Sequence, residues 1–169
     1  LNTAIIGAGA IHRCHVNALR QIPNVALRAL VDIDSVNGLK LAMNYQCRFY
    51  QDYREMLLDD SIDVVHICTP HFEHKNMILA ALAAGKHVFC EKPVGMNSSE
   101  LGDITTAAAQ ASGRLGVCYQ NRYNPSSLRI HKELAQGSLG KMLSIKAVLT
   151  WSRAGAYYTE SPWRGQLAT

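Results

Sequence analysis

Residues 4–19 read AIIGAGAIHRCHVNAL, an apolar run that breaks at Gly7 and passes into a helical pattern. Strand, glycine-rich turn and helix in that order open a dinucleotide-binding unit. Its first glycine makes the tight turn, its second lets the main chain approach a pyrophosphate, and its third permits close packing of helix on strand. Gly7 and Gly9 hold the first two places, Ala10 and Ile11 complete the turn, and His12 stands in the third. The loss is a packing contact: either the helix sits slightly further from the sheet, or the ring points away from it. The N–H groups at the helix start still face an anion. Asp32 lies 20 residues after His12, at the end of the next apolar run, where an acid would bind the adenosine ribose. A turn aspartate, with Asp34 close behind, is the plainer alternative. No arginine follows Asp32 to take a 2′-phosphate, which favours NAD over NADP.

Outward from this loop, short apolar runs alternate with helix-length segments. The patterning predicts strands at 3–7, 25–32, 47–50, 63–70, 87–90 and 115–119. Helices are expected at 10–21, at 35–45 weakened by Gly38, at 52–58 behind an Asp52 cap, at 74–85 closed by Gly85, and at 98–113. Ser98 or Ser99 is the expected cap of the last of these and Gly113 its stop. Such β-α alternation with unalternating apolar strands implies an α/β fold, a doubly wound parallel Rossmann sheet over residues 1–121. The pattern then changes. A helix from Pro125 to Gly137 and an apolar strand from Met142 to Trp151 read as the first helix and strand of an α+β substrate domain, residues 122–169, left incomplete. An apolar strand with nothing after it to pair is an exposed edge, so a stand-alone nucleotide-binding module is disfavoured.

The chain has 169 residues, 48% of them hydrophobic and 18% charged, enough for one full core. Its net charge of +4 is dispersed without a basic run, so neither nucleic acid nor a membrane surface is expected as partner. Five cysteines without a CxxC pair fit a reducing compartment, and no leader-like or bilayer-length apolar stretch is present, so the cytoplasm is the expected location. The HRCH run offers His12, Cys14 and His15 as metal ligands, but lacks further ligands at a recognisable spacing. It is read as no metal site, with the histidines facing an anion or solvent.

The most specific stretch is residues 63–101, DVVHICTPHFEHKNMILAALAAGKHVFCEKPVGMNSSEL. It resembles the Gfo/Idh/MocA family of sugar and inositol oxidoreductases. The matching positions are Thr69, Pro70, His74, the AGKHV run at 84–88, and Glu91, Lys92 and Pro93. GAGAIHRCH, LVDID, NRYNP, GSLGK and SPWRG extend the resemblance along the chain, with His12 as the departure. The resemblance implies hydride transfer between a nicotinamide cofactor and a secondary alcohol of a sugar, polyol or inositol. It implies Thr69, Pro70, His74 and Glu91 near the cofactor, Lys92 at the substrate hydroxyl, and a cis bond before Pro93. It further implies Arg122 beneath the nicotinamide and Trp163 and Arg164 reaching back over the cofactor. An ammonium at the end of a parallel strand stabilises a developing alkoxide, which is what such chemistry requires of Lys92. A plain surface lysine is the alternative on residue grounds alone.

Members of that family continue well past the Trp-Arg segment, to a glycine-rich turn and an acid/base histidine. The expectation is therefore a truncated portion of a longer, homo-oligomeric oxidoreductase, binding NAD but itself inactive. A non-catalytic, dinucleotide-binding regulatory protein on the same fold is the rival reading, and the intact Glu91-Lys92-Pro93 argues for the enzyme.

Overall fold

The computed structural model describes residues 1–159, 163 and 164. They fall into two units, Leu1–Cys118 and Tyr119–Thr169.

The first unit is built on six strands: β1 (Asn2–Ile6), β2 (Ala26–Val31), β3 (Arg48–Tyr50), β4 (Val64–Ile67), β5 (His87–Glu91) and β6 (Leu115–Cys118). They form one sheet in the order β3-β2-β1-β4-β5-β6, every neighbouring pair parallel. This is the doubly wound order in which the winding reverses between β1 and β4. Successive β1 residues supply opposite faces. Ala4 and Ile6 join a core with Met56, Ile78, Leu82 and Ile104, while Ile5 joins Val16, Leu19 and Ala42. Helices α1 (His12–Leu19) and α2 (Ser35–Tyr45) thus cover one face. The other is covered by α3 (Tyr53–Leu57), α4 (His74–Ala83) and α5 (Ser98–Gln110).

Local chemistry sets the helix ends. Asp34 accepts from the N–H groups of Val36 and Asn37 to start α2, and Asp52 from that of Arg54 to start α3. Gly85, at φ +72°, follows α4 as expected. The cap of α5 is neither Ser98 nor Ser99. Asn97 Oδ1 accepts from Glu100 N–H at 3.0 Å, because Asn97 is the extended residue with its side chain free to turn back. Gly113 does not stop α5 either, since the helix has ended at Gln110. A Cβ on Gly113 would come within 2.1 Å of the Lys86 carbonyl oxygen, so its role is close chain contact beside β5. Gly38, a liability for α2 by propensity, leaves room for Phe49, whose ring a Cβ would meet at 2.4 Å.

The second unit holds α6 (Pro125–Ala135), with Pro125 in its first turn, and the short helix α7 (Ala156–Thr159). Gly137 follows α6 at φ +71°. The strand expected from Met142 to Trp151 is not formed. Residues 142–154 carry no regular structure, and Leu143, Ile145, Val148, Leu149 and Trp151 are exposed. A strand is stabilised by the partner it pairs with, and the described residues supply none.

Candidate functional site

The C-terminal ends of β1, β2, β4 and β5 share one edge of the sheet, and most of the sequence-predicted residues sit there. Gly7 has φ +94°, and a Cβ on it would lie 2.8 Å from the main-chain carbon and oxygen of Cys68. Only glycine permits the β1 turn to pass so close to the end of β4. Gly9 is the opposite case: a Cβ there meets nothing within 4 Å, and Gly9 and Ala10 are exposed. The loop is therefore open where a phosphate would approach. Helix α1 begins at His12 after Ile11, without a side-chain cap and without an acidic residue in its first turn. Its positive end is left for an external anion.

His12 does not point to solvent. It is 1% exposed, bonded through Nδ1 to the Gly9 carbonyl and, through Nε2, 2.9 Å from the Tyr45 hydroxyl at the end of α2. The ring ties the glycine loop to the neighbouring helix. Asp32 meets the same loop from β2: its Oδ2 accepts from Ala8 N–H at 2.6 Å and its Oδ1 from Asp34 N–H at 2.8 Å. Each carboxylate oxygen keeps a lone pair for a further donor such as a ribose hydroxyl. Glycine loop and acid are thus one hydrogen-bonded piece, a fit to the dinucleotide the motif implies.

The other half of the edge is held by histidines. His74 is fully buried, with Nε2 3.0 Å from the Thr69 carbonyl and Nδ1 2.7 Å from the Pro93 carbonyl. Both partners only accept, so the ring ties the turn after β4 to the turn after β5. Pro70 leads into a single 3-10 turn, His71–Glu73, and Thr69 Oγ1 donates to the Met77 sulfur at 3.4 Å. The Lys92–Pro93 bond is cis. Lys92 is exposed immediately past β5, while the neighbouring Glu91 is buried.

Glu91 is engaged on several sides. His15 Nε2 donates to its Oε1 at 3.0 Å, Lys92 N–H to its Oε2 at 3.3 Å, and Cys118 also hydrogen-bonds to it. Burial pushes this carboxyl's pKa up, but the bonds from His15, Cys118 and Lys92 outweigh it and hold the group below the ordinary carboxylate value. His15 Nδ1 lies 3.0 Å from His66 Nδ1. Burial first, and then the neighbouring His15, lowers the His66 pKa to about 4. His71 is also held below its usual value, mainly by burial and then by His74 and Lys92, with Glu91 opposing.

The HRCH histidines do not face solvent. His12 and His15 are both buried, His12 against Gly9 and Tyr45 and His15 against Glu91 and His66. His15, His66 and His71 were not among the predicted site residues. An apolar-strand histidine such as His66 gives a hint of this network, but the pairing of His15 with a glutamate 76 positions away has no local signature.

Arg122, Trp163 and Arg164 belong to the second unit. Arg122 is exposed in the 3-10 turn Gln120–Tyr123, and Arg164 Nη1 donates to the Tyr157 carbonyl at 3.1 Å with its guanidinium 4.2 Å from the Tyr157 ring centre. Ser161, Pro162 and Gly165 of the SPWRG stretch lie outside the described residues.

Comparison with known proteins agrees with this architecture. Residues 1–119 match the Gfo/Idh/MocA profile, described as an oxidoreductase family with an NAD-binding Rossmann fold. Glucose-6-phosphate 3-dehydrogenase of Bacillus subtilis is 34% identical over 143 residues, covering 84% of this chain and 40% of its own. Myo-inositol 2-dehydrogenase of Thermotoga maritima is 26% identical over 143 residues, covering 83% and 42%. The WlbA dehydrogenase of Bordetella pertussis, solved with NADH and UDP-GlcNAcA, superposes with a TM-score of 0.94 at 25% identity, over 98% of this chain and 48% of its own. The chain spans less than half the length of each of these relatives.

Proposed function

Because the chain belongs to the Gfo/Idh/MocA family of oxidoreductases, with its NAD-binding Rossmann fold, we propose that its first unit binds NAD along the sheet edge described above. We further propose that the protein of which it forms part transfers a hydride between that cofactor and a secondary alcohol of a sugar, polyol or inositol. The observation that carries the reading is the pairing of two features on one edge: the Asp32 carboxylate bonded into an open glycine loop, and Lys92 exposed beside the buried Glu91.

Gly7, Gly9, Ala10 and Ile11 present main chain and the helix start to the pyrophosphate, and Asp32 accepts from the ribose. The missing arginine after Asp32 supports NAD over NADP. The nicotinamide supplies the hydride acceptor. Lys92 takes its place at the substrate hydroxyl, where its ammonium lowers the energy of the alkoxide formed as the proton departs. Glu91, fixed by His15, anchors the turn that carries Lys92, and His74 holds that turn to Thr69 and Pro70 from the other side. Arg122, Trp163 and Arg164 are assigned to the nicotinamide end by resemblance to the family. The substrate domain, beginning near residue 122, and a homo-oligomeric, cytoplasmic whole protein belong to the same proposal.

NADH fluorescence titration tests the cofactor half: saturable binding is expected, while binding left unchanged by Asp32→Ala would remove Asp32 from the site. The chain itself is expected to bind NADH without turnover. Steady NADH formation from a panel of inositols and sugars would overturn that part. For the whole protein, loss of turnover with retained NADH affinity in Lys92→Ala separates the enzyme from a regulatory protein that only holds the dinucleotide.

A further inference from the structure

Three side chains from distant parts of the chain converge: His15 of α1, Glu91 at the end of β5 and Cys118 at the end of β6. One ligand atom from each, an imidazole nitrogen, a carboxylate oxygen and a sulfur, lies within 4.8 Å of the other two. His15 and Glu91 are buried and Cys118 is half-buried. We propose that His15 Nε2, a Glu91 carboxylate oxygen and Cys118 Sγ form a binding site for a thiophilic divalent metal ion of the zinc type.

The donor set selects the ion. A thiolate with an imidazole suits zinc, whereas magnesium and calcium take oxygen ligands. Three protein ligands with the fourth position left to water is a familiar zinc arrangement. Tetrahedral zinc with ordinary bond lengths separates its ligand atoms by roughly 3.3–3.6 Å. His15 Nε2 and Glu91 Oε1 are already 3.0 Å apart, so the three groups need move by only about an ångström from a 4.8 Å limit.

The surroundings fit a metal site. His66 Nδ1, 3.0 Å from His15 Nδ1, can accept a hydrogen from the ligating ring and fix the tautomer that leaves Nε2 to the ion. Glu91 Oε2 is held by the Lys92 N–H. β6 is an edge strand of the sheet, and Cys118 at its end is part-exposed, which gives the ion an entry path. On binding, the Cys118 thiol gives its proton to solvent, and the neutral His15 ring exchanges its Nε2 hydrogen through solvent for one on Nδ1, which His66 Nδ1 accepts as the His66 hydrogen moves to its own Nε2, so that one proton is released in all. No electron is transferred.

Cobalt(II) is the probe. Added to the reduced chain, it is expected to bind one per chain with a sulfur-to-cobalt charge-transfer band in the near ultraviolet, displaced by zinc. Cys118→Ser is expected to abolish the band with the circular dichroism unchanged, and His15→Gln to weaken binding at least tenfold. Cys14→Ser, which changes the exposed cysteine of α1, is expected to keep the band. Absence of a band, or one that survives Cys118→Ser, overturns the site and identifies the cluster as a hydrogen-bonded network only. If His15→Gln fails to fold, the Cys118 and Cys14 pair still decides. NADH affinity is not read, so failure here leaves the dinucleotide reading standing.

Discussion

The two halves of the sheet edge are built by different means. On the β1–β2 side the site is main chain: a glycine at φ +94°, an open Gly9, and an aspartate receiving the Ala8 N–H. On the β4–β5 side it is a set of buried histidines, His15, His66 and His74, that tie Glu91 and Pro93 to the rest of the fold. The first half relies on restricted residue types at Gly7 and Gly9, with Asp32 brought to the loop from β2. The second draws on partners tens of positions apart and on the cost of burying polar groups without them.

The comparison can be broken most sharply at Gly7. Gly7→Ala places a Cβ 2.8 Å from the main chain of Cys68 in a left-handed conformation, and a loss of about 4 kcal/mol is expected in urea unfolding. On the other side, His74→Ala removes the ring between the Thr69 and Pro93 carbonyls and with it a buried donor. A loss of roughly 3 kcal/mol is expected, and more rapid hydrogen exchange in the turns after β4 and β5 would locate it. A drop of less than 1 kcal/mol would show that the histidine side is not held as described.

Acid should discriminate the halves too. The folded pKa of His66 is about 4, below its ordinary 6.5, so the unfolded chain takes up this proton first as pH falls. The associated stability is complete above pH 6.5 and is lost as pH drops towards 4, by an amount on the order of 2–3 kcal/mol. Glu91, also lowered, adds in the same direction. His66→Gln, which keeps an amide beside His15, is expected to flatten the unfolding midpoint across that window. A slope identical to wild type would remove His66 as its source.

Smaller effects sharpen the picture. Asp32→Ala is expected to weaken NADH binding about tenfold, near 1.4 kcal/mol, while leaving the His15–Glu91 pair intact. Asn97→Ala should cost about 1 kcal/mol in thermal unfolding, against a few tenths for Ser98→Ala or Ser99→Ala, because only Asn97 caps α5.

Much of this molecule was legible along the chain. Each of the six strands and five helices of the first unit falls within or against the apolar run that predicted it, because burial on a parallel sheet demands continuous apolar segments. The glycine loop and Asp32 could be read because tight turns and short spacings restrict residue type locally. The strand expected at 142–151 was misread, since apolar character specifies burial but not the partner. The α5 cap was missed by one residue, where backbone dihedrals decide which side chain can turn back.

Composition and local pattern by themselves determined the doubly wound class and the place of the glycine loop. Tertiary structure alone decided the rest. It turned His12 from a missing glycine into a link to Tyr45, and brought His15 to Glu91, His66 and Cys118. It also set His74 between Thr69 and Pro93. The physical reason is that a buried polar side chain must find partners wherever the fold brings them, and those partners are fixed by strand order and helix packing rather than by distance along the chain.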